Sequence, residues 1–334
     1  MTAVLTRGRG GALEGLGVIR AAATPCATLA LASLVCVAGC SGGVSPVSLS
    51  WSSSVPAAVA PDAQHYEDDV YSAQPYSNNA TVYKRKGSSL RRQQTLSTGL
   101  AAPQGSKATP RGQWYLTNAG DSNVLIYETT KSGPKPVGTL NDAGEVPVNV
   151  DVTADETLVA VSNLTSAGSG TGSVSVFTNG ASQPSRTLTY GSDLLLGQGV
   201  AIDRNGNCFW SFDDKSVPSA PGSIVEFAGC NGSGTLVLSG ITSAGGMTFD
   251  RNGNLYYVDE ASGIYKCQGT ARCTLFASGF GLPVNMNFDA GEKHLWVADA
   301  TGAIYAVNPQ SGQLESETIS IDGDPYGIAP APGD

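Results

Sequence analysis

Three observations predict an all-β fold, a closed ring of six blades of four antiparallel strands each, in other words a six-bladed β-propeller. A short apolar–turn–apolar unit recurs along the chain. Each copy is followed by two further strand-like segments. The two ends of the chain supply complementary parts of one more such unit.

The recurring unit is plainest in GVAIDRNGNCFWSF (199–212) and GMTFDRNGNLYYVD (246–259). It returns in weaker form as NMNFDAGEKHLWVAD (285–299), VNVDVTADETLVAVSN (148–163) and GSKATPRGQWYLTN (105–118). With the residue in the place of Asp203 as a ruler, the copies fall at Thr109, Thr153, Asp203, Asp250 and Asp289, spaced 44, 50, 47 and 39 residues apart. Repeats of about 40–50 residues with four strands each are those of a propeller blade.

The shared DRNGN reads as a turn and not as a calcium loop. Asn-Gly supplies the positive φ that a tight hairpin needs, and the Asp side chain accepts backbone N–H bonds across it. An EF-hand loop would continue with oxygen ligands at alternate positions. Here Cys-Phe-Trp and Leu-Tyr-Tyr follow at once. These second strands are continuously apolar, as expected of strands covered on both faces, and their aromatic rings are expected to pack between blades.

Third strands are predicted over 124–128, 173–177, 222–227, 263–267 and 303–307. Fourth strands follow over 136–140, 185–190, 234–238, 272–277 and 314–320. Residues 69–99 read as strands two to four of a blade without a first strand. Tyr326-Gly327-Ile328-Ala329-Pro330 reads as a first strand with nothing after it. One blade shared between both ends closes the ring and removes its open edge.

Of the 334 residues, 14% are charged and 41% apolar. This is enough to build a core and too little charge for a disordered acidic chain. Arg7, Arg9 and Arg20 precede an uncharged apolar run from Ala27 to Val37, too short to span a bilayer and suited to a signal-peptide core. The run ends in Val37-Ala38-Gly39-Cys40, which resembles the lipobox of bacterial lipoproteins, with Cys40 as the lipidated residue. The expected organisation is a signal segment over 1–39, a Ser/Ala/Val/Pro-rich tether over 40–65 and the propeller over 66–334. The predicted location is the cell envelope, with membrane attachment by lipid alone. Removal of residues 1–39 takes three Arg and one Glu, leaving 16 basic and 27 acidic residues and a formal charge of −11. That sign disfavours nucleic acid as a partner.

Cys208, Cys230, Cys267 and Cys273 remain, an even number in an exported chain. Their places in the blades predict Cys208–Cys230 and Cys267–Cys273, each within one blade.

Blades such as GMTFDRNGNLYYVDEASGIYKC resemble those of NHL-repeat and gluconolactonase-like (senescence marker protein-like) six-bladed propellers. The resemblance covers roughly residues 66–331. It implies a ligand face where strand four hands over to the next strand one and strand two turns into strand three. Asn118, Asp213, Asp214, Asp259, Glu260 and Asp299 fall there, with Gln104, Asn149, Gln198 and Asn285 leading into first strands. In gluconolactonase-like enzymes a Glu near the start of a first strand holds a catalytic metal with an Asn and an Asp. Here Gln104 stands in place of that Glu, and Asp259 and Asp299 remain as candidate ligands for a divalent metal such as Ca²⁺. No catalytic set of other chemistry is legible. The expectation is a monomeric, non-enzymatic module that binds an extracytoplasmic protein, glycan or small molecule. The alternative is a metal-dependent lactonase or hydrolase.

Overall fold

The computed structural model describes residues 68–331, apart from 131, 167–169, 192–194, 220 and 321–322. The signal segment, Cys40 and the tether lie outside the described residues.

Blade 1 takes its first strand from the C-terminal end: β24 (Gly327–Pro330) pairs with β1 (Asp69–Gln74), followed by β2 (Asn79–Lys86) and β3 (Ser89–Leu96). Blade 2 comprises β4 (Pro103–Ala108), β5 (Gln113–Asn118), β6 (Asn123–Glu128) and β7 (Lys135–Asn141). Blade 3 comprises β8 (Glu145–Val152), β9 (Leu158–Ser166), β10 (Ser173–Thr178) and β11 (Arg186–Leu188). Blade 4 runs through β12 (Leu195–Ile202), β13 (Cys208–Asp214), β14 (Gly222–Phe227) and β15 (Thr235–Ile241). Blade 5 runs through β16 (Ala244–Phe249), β17 (Leu255–Asp259), β18 (Gly263–Gln268) and β19 (Ala271–Ala277). Blade 6 holds β20 (Pro283–Phe288), β21 (Leu295–Asp299), β22 (Ala303–Val307) and β23 (Leu314–Ile319). Every pairing is antiparallel, and each first strand packs on the next one round the ring. The six-bladed propeller predicted from the repeats is the fold.

The turns explain why the repeats look as they do. In DRNGN, Asp203 Oδ1 accepts the N–H groups of Asn205 and Asn207, both at 2.8 Å. Asp250 Oδ1 accepts those of Asn252 at 2.9 Å and Asn254 at 2.8 Å. Gly206 and Gly253 carry φ of +79° and +81°, the left-handed region that an L side chain resists. Asn207 and Asn254 then accept the N–H of Gly229 and of Gly269, tying this turn to the outer hairpin of the same blade. The Asp, the Gly and the last Asn of each copy therefore act on the backbone.

Burial follows position in the blade. β5, β17 and β21 are buried along their whole length, because neighbouring blades cover both faces. Trp114, Trp210 and Trp296 sit on second strands, fully buried, and each reaches a neighbouring blade. Trp114 stacks on Tyr71 with ring centroids 4.6 Å apart. Trp210 Nε1 donates to Ser162 Oγ at 3.0 Å. Trp296 lies in one apolar cluster with Val70, Tyr83 and Ile328. Loss of a ring of this kind costs about 3–5 kcal/mol. The rings are mortar between blades, as the unbroken apolar pattern of the second strands implied.

Cys208 is bonded to Cys230 and Cys267 to Cys273, with Cα–Cα distances of 4.7 and 3.9 Å. Both pairings predicted from blade position are formed. The basic run Lys84-Arg85-Lys86 is tied down where it meets carboxylates: Lys84 faces Asp68 and Asp69, and Arg85 reaches Asp289 of blade 6 at 2.5 Å.

Candidate functional site at the mouth of the channel

Antiparallel topology places the ends of strands two and four, and the starts of strands one and three, on one face. Near that face each second strand carries a polar residue in equivalent register, opposite the first residue of the third strand: Gln74, Asn118, Asn163, Asp213, Asp259 and Asp299. These side chains form a polar rim on that face, one strand outward from the first strands. All but Asp213 are buried.

Burial of a carboxylate is tolerable only with hydrogen-bond partners. Asp299 Oδ1 accepts the N–H groups of Leu282 and Thr301 and the Thr301 hydroxyl, at 3.0, 2.9 and 2.6 Å, and its Oδ2 accepts Gly281 N–H at 2.6 Å. Asp259 Oδ1 accepts Ser243 N–H at 3.3 Å and Ala261 N–H at 3.2 Å, while its Oδ2 accepts Thr242 N–H at 3.2 Å. Asn118 Oδ1 accepts Ala101 N–H at 2.6 Å. Each of these residues pins the loop that leads into its own blade's first strand. Asp213 instead accepts Ala244 N–H of the following blade at 2.9 Å, which ties blade 4 to blade 5.

The two candidate metal ligands, Asp259 and Asp299, thus belong to different blades and both hold loops. Among the described residues no three His, Cys, Asp or Glu side chains come together as a metal-binding group. Asp214 lies off the rim, with Oδ1 accepting the N–H and hydroxyl of Ser216 at 2.9 and 2.6 Å.

Sequence reasoning placed Glu260 on this face without giving it a role. Its Oε2 accepts the Ser243 hydroxyl at 2.9 Å. Burial, with the charges of Asp213 and Asp259 adding, pushes its carboxyl up to about 8. Burial likewise raises Asp213 to about 6, opposed by the Ala244 N–H and by Gln198 and reinforced by Asp259. Asp213 and Glu260 are thus carboxyls that hold protons well above the ordinary range. Tyr326, which leads into β24, packs edge-on against Tyr76 with centroids 5.7 Å apart and hydroxyls 3.2 Å apart. Burial and then Tyr76 raise its phenol, and the charge of Glu260 adds to the shift. No local sequence signal marks this grouping, because its members come from blades 1, 4 and 5.

Deeper in the channel, Lys107 of β4 places its Nζ 2.9 Å from Asp151 Oδ1 of β8 and 3.1 Å from Asn287 Oδ1 of β20. Asn287 Nδ2 donates to the carbonyls of Ser106 and Ile328, at 3.2 and 2.7 Å. Asp151 Oδ2 accepts Ile202 N–H at 2.7 Å. Blades 2 and 6 are separated by blade 1, so this strap runs across the axis. Of the amides expected on this face, Asn149 and Asn285 are buried on β8 and β20, whereas Gln104 and Gln198 are half-buried on β4 and β12.

A closed ring of six four-stranded blades, with carboxyls and amides gathered on one face, defines a six-bladed β-propeller. Neither a known family's sequence profile nor a curated protein matches the sequence. Solved structures do. A functionally unknown protein from Desulfotomaculum acetoxidans DSM 771 superposes with a TM-score of 0.55 at 13% identity, over 80% of this chain and 100% of that one. A luciferin-regenerating enzyme matches with a TM-score of 0.52 at 14% identity, over 67% of this chain and 78% of its own. The calcium-binding protein regucalcin from Agrobacterium tumefaciens str. C58 matches with a TM-score of 0.52 at 12% identity, over 68% and 77%. At these identities the likeness is one of fold.

Proposed function

We propose that this chain is an exported, lipid-anchored propeller that binds an extracytoplasmic ligand at the channel mouth and does not transform it. The observation that carries this reading is the state of Asp259 and Asp299. Their oxygens already accept backbone N–H bonds from the loops around them, so they serve to hold the rim rigid. A rim fixed in this way is pre-organised for recognition, which lowers the ordering cost of binding. The two intra-blade disulfides support residence in an oxidising compartment.

A second reading, a metal-dependent lactonase or hydrolase, draws on Asp213 and Glu260. These are two carboxyls suited to proton transfer at one mouth, in a fold also adopted by a calcium-binding protein. Thermal unfolding with chelator, then with Ca²⁺, Mg²⁺, Mn²⁺ or Zn²⁺, separates the two, since a ligand of the folded state alone raises the midpoint. The binding reading expects no metal to shift it. A rise of several degrees with one metal, abolished by Asp259→Asn or Glu260→Gln, establishes the second reading instead.

A further inference from the structure

Charge is divided unevenly between the two ends of the propeller. On the loops and strand ends of the mouth side, Lys215 is the one cation among the described residues, and it stands against carboxyls such as Asp121, Glu145, Asp259 and Asp299. At the opposite end, first strands turn into second and third into fourth. Cations gather there, most densely on blades 1 and 2. Five of the nine residues from Lys84 to Arg92, around the β2–β3 hairpin, are Lys or Arg, and none is acidic. Arg85 is committed to Asp289 of blade 6, and Lys84 to Asp68 and Asp69. Arg92 is exposed and turns its guanidinium to Thr95. Lys86 and Arg91 are exposed. Lys84 lies opposite Arg91 and Lys86 opposite Ser89, so these cations share one face of the blade. That face is turned to blade 2, since the alternate residues Tyr83 and Arg85 turn to blade 6.

Blade 2 adds Arg111, in the turn from β4 to β5, and Lys135, at the start of β7, both exposed. The β6–β7 loop lies against β3, because a Cβ on Gly133 would collide with Gln94 Oε1. Among the described residues, none of Lys86, Arg91, Arg111 and Lys135 enters an ion pair. Of the acids at this end of blades 1 and 2, Asp69 and Glu128 are half-buried, and Asp68 alone is exposed and faces Lys84. The described chain also begins here. Arg85 N–H donates to the Asp68 carbonyl at 2.5 Å, so the segment that leads from Cys40 joins the propeller beside the cations. A six-residue strand spans about 20 Å, roughly two Debye lengths at physiological salt. The mouth-side carboxyls are therefore screened from whatever this end touches. Each Lys or Arg close to an anionic bilayer, in contrast, strengthens attachment about fivefold. The negative formal charge of the whole chain does not decide what this end meets.

We propose that the basic end of blades 1 and 2 docks on a bilayer surface rich in anionic lipid, with Lys86, Arg91, Arg111 and Lys135 against the headgroups, and thereby turns the mouth away from the membrane. This rests on the reading of the chain as membrane-anchored and adds to the lipid a second contact, one that sets orientation.

The test is co-sedimentation of the mature chain carrying Cys40→Ser with vesicles of phosphatidylcholine alone and with vesicles containing about 30% phosphatidylglycerol. No anchor is present in this chain, so the result does not depend on whether Cys40 is lipidated, which the mass of the native chain reports separately. The anionic vesicles are expected to bind roughly tenfold more tightly than the neutral ones at about 20 mM salt, and the difference is expected to shrink severalfold at about 200 mM. The fourfold variant Lys86→Ser, Arg91→Ser, Arg111→Ser and Lys135→Ser is expected to lose about tenfold on anionic vesicles with an unaltered circular dichroism spectrum. The double variants Lys86→Ser/Arg91→Ser and Arg111→Ser/Lys135→Ser should each lose a smaller share. Lys215→Ser, at the mouth, is expected to change nothing. Binding that ignores lipid charge, no binding at low salt, or double and fourfold variants that bind as the parent does would each overturn the proposal. Tighter binding to heparin than to the anionic vesicles would overturn it as well, and would assign the patch to a soluble polyanion.

Discussion

Asp259 and Glu260 are adjacent in the chain and have opposite characters. Asp259 accepts three backbone N–H bonds and acts as part of the scaffold. Glu260 accepts one hydroxyl bond beside two other acids, and its proton affinity rises to about 8 from a reference of 4.5. Asp213 rises to about 6 from 3.8. The consequence for stability has a definite sign. Between the unfolded and folded values, the folded chain keeps protons that the unfolded chain has released. Stability from these two groups is complete below the unfolded values and declines as pH rises through the folded ones. The thermal midpoint is therefore expected to be higher near pH ~5 than near pH ~8.5. Glu260→Gln should flatten that slope. A midpoint that climbs over the same interval, or a slope indifferent to both Glu260→Gln and Asp213→Asn, would remove the titrating role given to the pair.

At the scale of the element, the disulfides offer a graded comparison. Cys208–Cys230 closes a separation of 22 residues and Cys267–Cys273 one of 6. Loop-closure entropy assigns about 3 kcal/mol to the former and about 2 kcal/mol to the latter. Urea unfolding of the two double Cys→Ser variants should show the larger loss for the 208/230 pair. A reversed order would mean that residual structure in the unfolded chain dominates. These pairings were legible in the sequence because strand order alone brings the cysteines together within a blade. The turn role of DRNGN was legible for the same reason: Asp, Asn and Gly act on backbone within five residues. The fourth strand of blade 3 was less so. Residues 185–190 suggest a full strand, yet only Arg186–Leu188 pair, and Tyr190 packs instead beside Phe212 of blade 4.

At the scale of the molecule, closure of the ring rests on a four-residue strand. β24 pairs with β1 from Val70↔Pro330 to Ala73↔Gly327 and packs on β4 and β20. Gly327 admits this approach, because a Cβ there would collide with the Gln104 carbonyl. Deletion of residues 326–334 should strip blade 1 of its first strand and expose the edges on either side. The expected outcome is loss of soluble, cooperatively unfolding protein, read by size-exclusion chromatography and a thermal scan. A truncated chain that stays monomeric with an unchanged midpoint would show that the ring does not need its clasp. The shared blade could be read from the sequence because the two ends are each incomplete in complementary ways. The strap of Lys107, Asp151 and Asn287, and the meeting of Glu260, Asp213 and Tyr326, could not. They depend on how blades far apart in sequence lean across one axis, and no local periodicity records that.

The clasp also determines how the molecule responds to force. Ala331 N–H donates to the Asp69 carbonyl at 2.7 Å, so the chain enters and leaves the ring side by side. Tension applied between those two points would act on one end of an antiparallel pair and part its rungs in succession, Val70↔Pro330 first, like a zip. Tension applied at the N-terminal side alone, with drag on the body, is shared between the rungs of β1 to β24 and those of β1 to β2. Stretched between its two ends, the ring would therefore open at its seam, the one blade in which the two ends of the chain meet.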